Sequence, residues 1–126
     1  MILALLISMA MQTEVNCDDA VTQRDMNFCA GKDYAAADAA LNRQWARTST
    51  AMKAADRDFN RPDGGPGYHA ALLAGQRAWL KYRDAHCVSE GYGARGGSMA
   101  PMLLNLCLAK LTKERTEQLR QLAVEE

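Results

Sequence analysis

The chain has 126 residues, in which 15 Lys and Arg residues balance 15 Asp and Glu residues. A chain of this length forms one domain and leaves no room for a second. The balanced charge excludes the strong overall field with which proteins bind nucleic acid or an anionic membrane surface.

The chain begins with an apolar run, MILALLISMA, at residues 1–10. The run is shorter than the roughly 20 residues of a membrane-spanning helix, and it ends in the small-x-small pattern of a signal-peptidase site. We therefore predict a partial signal peptide at 1–10 and a single domain over 11–126. No Lys or Arg precedes the run, and a short buried strand or helix is the alternative. No membrane anchor is expected, because the residues before Cys17 do not suit lipidation.

Four cysteines in a short exported chain indicate two disulfides, for which three pairings are possible. We predict sequential pairing, because each such pair brackets a turn-like or glycine-rich stretch: Cys17–Cys29 and Cys87–Cys107. A zinc site of four thiolates is the alternative, but such ligands usually come in closely spaced pairs. We expect no metal and no cofactor.

The segment from Cys17 to Cys29 must double back if its ends are bridged, because a straight helix would hold them about 18 Å apart. Thr22 followed by Asp25 predicts a short helix at about 22–30. Gly31 is expected to end this helix and Asp33 to cap the next. That next helix is long and amphipathic, from residue 34 to about residue 60, with an apolar stripe that includes Tyr34, Leu41, Trp45, Met52 and Phe59.

Residues 61–67 contain three Gly and two Pro, which predicts a turn that returns the chain antiparallel. The helix after it is expected at about 68–90 and is broken by GYGARGG at 91–97. Ser98 is predicted to cap a last helix that ends near Val124. The predicted fold is therefore an all-α antiparallel bundle, with a short N-terminal helix and three longer helices clamped by two disulfides.

The helix at 68–90 carries an apolar stripe that Gln76 and Arg83 interrupt, and buried polar groups of this kind need partners. We predict that Asp38 pairs with Arg83 and ties two helices together, with Asp84 and Asp56 as alternative acids. In the last helix, Thr112 and Arg115 likewise interrupt the apolar stripe.

A catalytic role for Asp38, Gln76 and Arg83 is the less favoured reading of the same residues. The adjacent His86 and Cys87 point about 100° apart on a helix, and a disulfide would consume the thiol. We therefore expect the protein not to be an enzyme.

Several short motifs occur in order along the chain: Met26-Asn27-x-Cys29, Ala37-Asp38-x-x-Leu41-Asn42, Gln76-Arg77-Ala78-Trp79, Tyr82-Arg83-Asp84-Ala85-x-Cys87 and Gly96-Gly97-Ser98. With Cys17 and Cys107 at the flanks, the chain resembles the LprI-type lysozyme-inhibitor domain family from about residue 17 to residue 119. The resemblance implies a small, exported, all-helical domain of the bacterial envelope, whose family is named after members that inhibit lysozyme.

We therefore expect a periplasmic or secreted binding protein that blocks a lysozyme-like peptidoglycan hydrolase by surface contact. The expected contact residues lie in the two loops, Arg61 and Asp63 in the first and Tyr92 and Arg95 in the second. Arg95 is singled out because such hydrolases use paired carboxylates. The alternative is a non-inhibitory structural or interaction module of the bacterial envelope with another protein partner.

Overall fold

The computed structural model describes residues 14–59 and 63–124, so the predicted signal peptide and Arg61 lie outside the described residues. Within them the chain is helical and contains no strand. The three α-helices are α1 (Gln23–Asp58), α2 (Tyr68–Glu90) and α3 (Ala100–Leu122). Two short 3-10 helices lie at Cys17–Asp19 and Tyr92–Ala94. The predicted all-α class, the three longer helices and both disulfide pairings are confirmed.

Helix α1 is one uninterrupted helix of 36 residues. It begins where the short helix was predicted to begin, because the Thr22 side chain accepts a hydrogen bond from the Asp25 amide. The predicted break at Gly31 and cap at Asp33 are wrong, and the expected short helix forms the first turns of α1. A glycine inside a helix costs only about 1 kcal/mol relative to alanine. Contacts with the α3 side of the bundle continue across Gly31: Asn27 donates to the Ser98 carbonyl and Lys113 donates to Asp33.

The contacts between helices define their directions. Gln23, at the start of α1, contacts Met102 near the start of α3, and Thr48 contacts Leu119 near its end. Helices α1 and α3 therefore run in the same direction, and α2 runs opposite to both. The disulfide end of the bundle combines the start of α1, the end of α2 and the start of α3. The hairpin end combines the end of α1, the start of α2 and the end of α3.

The apolar core is small, with Leu41, Leu72 and Leu119 at its centre and the half-buried Trp45, Met52 and Trp79 packed against them. Buried polar side chains lie beside this apolar core and enlarge the buried interior. Thr48 is fully buried, donates to the Leu119 carbonyl at 2.7 Å and accepts from the Gln44 amide at 3.1 Å. Carbonyls in the last turn of a helix lack intrahelical partners. The Ala123 amide, which would bond to the Leu119 carbonyl in a continuing helix, bonds to the Arg120 carbonyl instead. Thr48 therefore satisfies an acceptor that the end of α3 leaves open.

We predict that Thr48→Val lowers the free energy of unfolding by about 1–2 kcal/mol, because it keeps the shape but leaves the Leu119 carbonyl without its donor. Urea denaturation monitored by circular dichroism measures this. Thr50→Val is the matched control, because the exposed Thr50 hydroxyl donates only to a carbonyl of its own helix. The control is expected to stay within about 0.5 kcal/mol of the parent. Equal costs for the two variants would contradict the role assigned to Thr48.

Two helix starts differ from what the sequence predicts. Ser98 does not cap α3: the residue at the cap is Met99, its side chain makes no capping hydrogen bond, and Pro101 lies in the first turn. Helix α2 follows Gly67, which has no side chain, and the Asp56 carboxylate accepts from the Tyr68 and His69 amides at 2.7 and 3.2 Å. None of the described helices has a stretch long and apolar enough to cross a membrane.

Candidate functional site

Arg83 is buried between the three helices, with 7% of its surface exposed. Its guanidinium lies over the rings of Tyr34 and Trp79, at 5.5 and 5.1 Å from their centroids. Its Nη1 donates to the Thr112 hydroxyl at 3.3 Å, and its Nε and Nη2 lie 3.0 and 2.9 Å from one oxygen of Asp84. The predicted pair with Asp38 is wrong, and the alternative acid Asp84 is the partner. The reason is that α1 meets the guanidinium with the ring of Tyr34 rather than with a carboxylate.

Of the other two predicted members of the polar core, Gln76 bonds to another helix and Asp38 does not. Gln76 is buried and accepts from the Arg115 Nε at 2.9 Å, so its partner lies on α3. Burial lowers the pKa of the Arg115 guanidinium from its ordinary value. Asp38 instead lies 3.5 Å from the Asn42 amide on its own helix. The polar residues of α2 therefore tie α2 to α3.

A serine and a histidine meet where α1 and α2 pack near the hairpin end, a contact that sequence reasoning missed. The Ser49 hydroxyl and His69 Nε2 lie 3.0 Å apart, while Asp56 accepts from the backbone amide of His69. Ser49 is 8% exposed, so its hydroxyl is buried in the bundle. The carboxylate serves as a helix cap, and the serine–histidine pair ties the two arms of the hairpin together.

At the disulfide end, the loop between α2 and α3 is held by several backbone hydrogen bonds. Successive turns link Ala94 to Gly91, Arg95 to Tyr92, and Gly97 to Ala94. Gly96 has φ +81°, a left-handed conformation that glycine adopts at no steric cost. The Cys87–Cys107 disulfide closes the base of the loop, and the Asn27 side chain donates to the Ser98 carbonyl. The loop therefore presents its side chains from a fixed backbone.

Tyr92 and Arg95 are exposed on this loop, as predicted for contact residues, and they contact each other. The Arg95 guanidinium lies 5.5 Å from the centre of the Tyr92 ring, and its Nη1 donates to the Tyr92 hydroxyl at 3.4 Å. Among residues 14–59 and 63–124, no carboxylate forms an ion pair with Arg95. Arg95 is thus an exposed cation whose charge is not neutralised within the described chain.

An open cleft of about 470 Å³ lies beside this pair. Its walls are mainly apolar and include Val88, Pro101 and Leu104, of which Val88 is 59% exposed. We call these three residues together with Tyr92 and Arg95 the Arg95 surface. It combines a positive group with apolar walls, which suits a protein partner that presents an acid beside apolar side chains. The cleft was not predicted, because its lining comes from α2, the loop and α3 together.

The other predicted contact loop lies at the hairpin end. Its Asp63 carboxylate accepts from the Gly65 amide at 3.0 Å and shapes the turn at Gly64, where φ is +67°. Helix α2 separates this loop from the Arg95 surface, and its 23 residues span about 35 Å. The two loops therefore form separate surfaces.

One group of side chains has the composition of a metal site. His86, Glu90 and Cys107 offer donor atoms within 4.8 Å of one another. His86 Nε2 lies 3.3 Å from the Glu90 carboxylate, which in turn lies 3.0 Å from the Cys107 sulfur. That sulfur is bonded to Cys87, so it is not a thiolate in this oxidised form.

Comparison with known proteins gave one family and one relative. The profile of a family described as "Lysozyme inhibitor LprI" matches residues 16–119, a segment that contains both disulfides and the Arg95 surface. An uncharacterized protein of Rhizobium meliloti (strain 1021) is 47% identical over 114 residues, which cover 90% of this chain and 82% of the relative. No solved structure matched significantly.

Proposed function

Because the chain belongs to the LprI lysozyme-inhibitor family, we propose that it is an exported bacterial protein that binds and inhibits a lysozyme-like peptidoglycan hydrolase. The observation that carries the proposal is the family match over residues 16–119. Two disulfides among the described residues are consistent with an oxidising compartment such as the periplasm or the exterior. Inhibition by surface contact requires no catalytic group, so the protein need not be an enzyme.

The Arg95 surface is the contact site that we propose. Lysozyme-type hydrolases cleave their substrate with two carboxyl groups that flank the scissile bond. A guanidinium binds a carboxylate through two parallel hydrogen bonds, which are stronger than bonds between neutral groups. Arg95 is exposed and has no ion-pair partner in the described chain, so the donors that do not bond to Tyr92 are available to such a carboxylate.

Two features of the Arg95 surface favour tight binding. The Arg95 side chain rests on the Tyr92 ring, and ordering a side chain before binding reduces the entropy lost in the complex. The apolar walls at Val88 and Leu104 supply area that a partner can bury, and aromatic and arginine side chains are the commonest binding hot spots. The Cys87–Cys107 disulfide at the base of the loop holds the Arg95–Tyr92 pair and the apolar walls in fixed positions relative to one another.

We expect the mature protein to slow cell-wall lysis by at least one type of lysozyme, and Arg95→Ala to weaken that inhibition at least 10-fold, or about 1.4 kcal/mol. A turbidity assay over a range of inhibitor concentrations measures both effects. Arg77→Ala is the matched control, because Arg77 is an exposed arginine on α2 away from the loop. The control is expected to inhibit like the parent.

Three outcomes of this assay would overturn parts of the proposal. No inhibition of any lysozyme type at micromolar concentration would remove the inhibitor function. Equal inhibition by the parent and Arg95→Ala would move the contact elsewhere, and loss of inhibition in Asp63→Ala would then locate it at the hairpin end. Binding to a hydrolase without inhibition would favour the alternative, a non-inhibitory interaction module of the envelope.

A further inference from the structure

Three side chains with metal-binding donors, His86, Glu90 and Cys107, converge where the end of α2 meets α3. His86 and Glu90 are four residues apart on α2, a spacing that places side chains on one face of a helix. Cys87, which follows His86, is bonded to Cys107 on α3. The Glu90 carboxylate lies between His86 Nε2, at 3.3 Å, and the Cys107 sulfur, at 3.0 Å. The His86 ring stacks on Tyr82 with centroids 5.3 Å apart, which restricts its orientation.

In the oxidised protein this group is incomplete as a metal site. Cys107 is bonded to Cys87, and a disulfide sulfur carries neither a proton to donate to Glu90 nor the negative charge of a zinc ligand. The carboxylate therefore faces the sulfur without a hydrogen bond between them. Reduction of the bond would change both sulfurs into groups that lose a proton and bind a cation.

One ligand distance already fits a tetrahedral zinc ion. Bond lengths of roughly 2.0–2.3 Å place neighbouring ligands of such an ion roughly 3.3–3.8 Å apart. The His86 and Glu90 donors already lie 3.3 Å apart. The two sulfurs need to separate, and they are carried by Cα atoms 5.5 Å apart on different helices. Rotation of the two side chains can achieve this separation while the helices stay in place.

We propose that reduction of the Cys87–Cys107 disulfide converts this group into a zinc site formed by the two cysteine thiolates, the neutral imidazole of His86 and the carboxylate of Glu90. A dithiol reductant transfers two electrons and two protons to the disulfide and itself becomes a disulfide. The zinc ion then displaces one proton from each thiol as it binds. The metal replaces the covalent link between α2 and α3 and keeps the base of the loop between them closed.

The second disulfide provides an internal comparison. In the ranges 14–59 and 63–124, the only group of three or more candidate ligands is the one that contains His86, Glu90 and Cys107. The Cys17–Cys29 pair has no histidine and carboxylate gathered around it in the same way. Reduction of that pair is therefore expected to give two thiols without a site for zinc.

In the test, the full chain is first reduced with a phosphine and then titrated with Co²⁺. Absorption spectra follow the thiolate charge-transfer bands and the visible bands of tetrahedral cobalt. We expect one ion per reduced chain, displaced by Zn²⁺, and none in the oxidised protein at the same concentrations. The double variant C17A/C29A is expected to bind like the parent. The double variant C87A/C107A has the same number of thiols and is expected to bind none.

His86→Ala and Glu90→Gln test the other two ligands and are each expected to weaken zinc binding at least 10-fold. Their side chains are 42% and 56% exposed, so both variants are expected to keep the parent's helical circular dichroism after reduction. Equal binding by the two double-cysteine variants would overturn the proposal. Unchanged affinity in both His86→Ala and Glu90→Gln would overturn it as well, because thiols alone would then account for the binding. The test uses no hydrolase, so its result is independent of the proposed inhibition.

Discussion

Replacement of Arg83 by alanine is expected to lower the free energy of unfolding by about 3 kcal/mol, within the range for large-to-small changes in a core. The change removes a buried side chain that contacts Tyr34, Trp79 and Thr112, one residue from each helix. It leaves a cavity, two ring faces without their cation, and the fully buried Thr112 hydroxyl without its donor. Urea denaturation at constant pH and salt concentration measures the cost.

Asp84→Ala is the control for this prediction, because it removes the carboxylate partner of Arg83 and leaves the buried contacts intact. The Asp84 side chain is 63% exposed, so water and salt screen the pair, and pairs of this kind contribute about 0–1 kcal/mol. We expect a small effect from Asp84→Ala and an intermediate one from Arg83→Met, which keeps most of the apolar stem. Equal costs for Arg83→Ala and Asp84→Ala would mean that the ion pair carries the stability and that the buried contacts do not.

The burial of Arg83 and Gln76 was predictable from the sequence, whereas their partners were not. Helical periodicity indicates which positions face the core, but it does not say which neighbouring helix they face. A usable signal was present, because Thr112 and Arg115 interrupt the apolar stripe of α3 as Gln76 and Arg83 interrupt that of α2. Matching the interruptions in antiparallel order pairs Arg83 with Thr112 and Gln76 with Arg115, the contacts that the structure contains.

Helix boundaries were predictable where local chemistry decides them. Glycines mark both ends of α2, and Thr22 caps α1 as its sequence context predicts. The prediction was wrong at Gly31, where the ion pair between Asp33 and Lys113 comes from residues 80 positions apart. A local rule for helix termination takes no account of such contacts. The same limit applies to the Arg95 surface, whose loop was predicted but whose cleft needs three segments to be placed together.

The second large effect is expected when the Cys87–Cys107 disulfide is removed. For a link that spans 20 residues, the entropy of the unfolded chain alone gives a stabilisation of about 3 kcal/mol. Cys87 is fully buried and Cys107 nearly so. The bond joins the end of α2 to α3 at the base of the loop between these two helices. The double variant C87A/C107A is therefore expected to lose about 3 kcal/mol of global stability, measured by urea denaturation with a chelator present.

The matched variant is C17A/C29A, which removes a link of similar length, 12 residues, and so a similar loop-closure entropy. It ties only the 3-10 segment Cys17–Asp19, which has no buried residue, to the first turns of α1. That segment can detach while the three helices remain packed, so its loss is a local opening rather than global unfolding. We expect a cost below about 1 kcal/mol for the bundle, together with faster amide hydrogen exchange confined to the segment before α1. If the two double variants lost equal global stability, the 3-10 segment would have to unfold together with the helices, and the Cys87–Cys107 bond would not be the principal clamp of the fold.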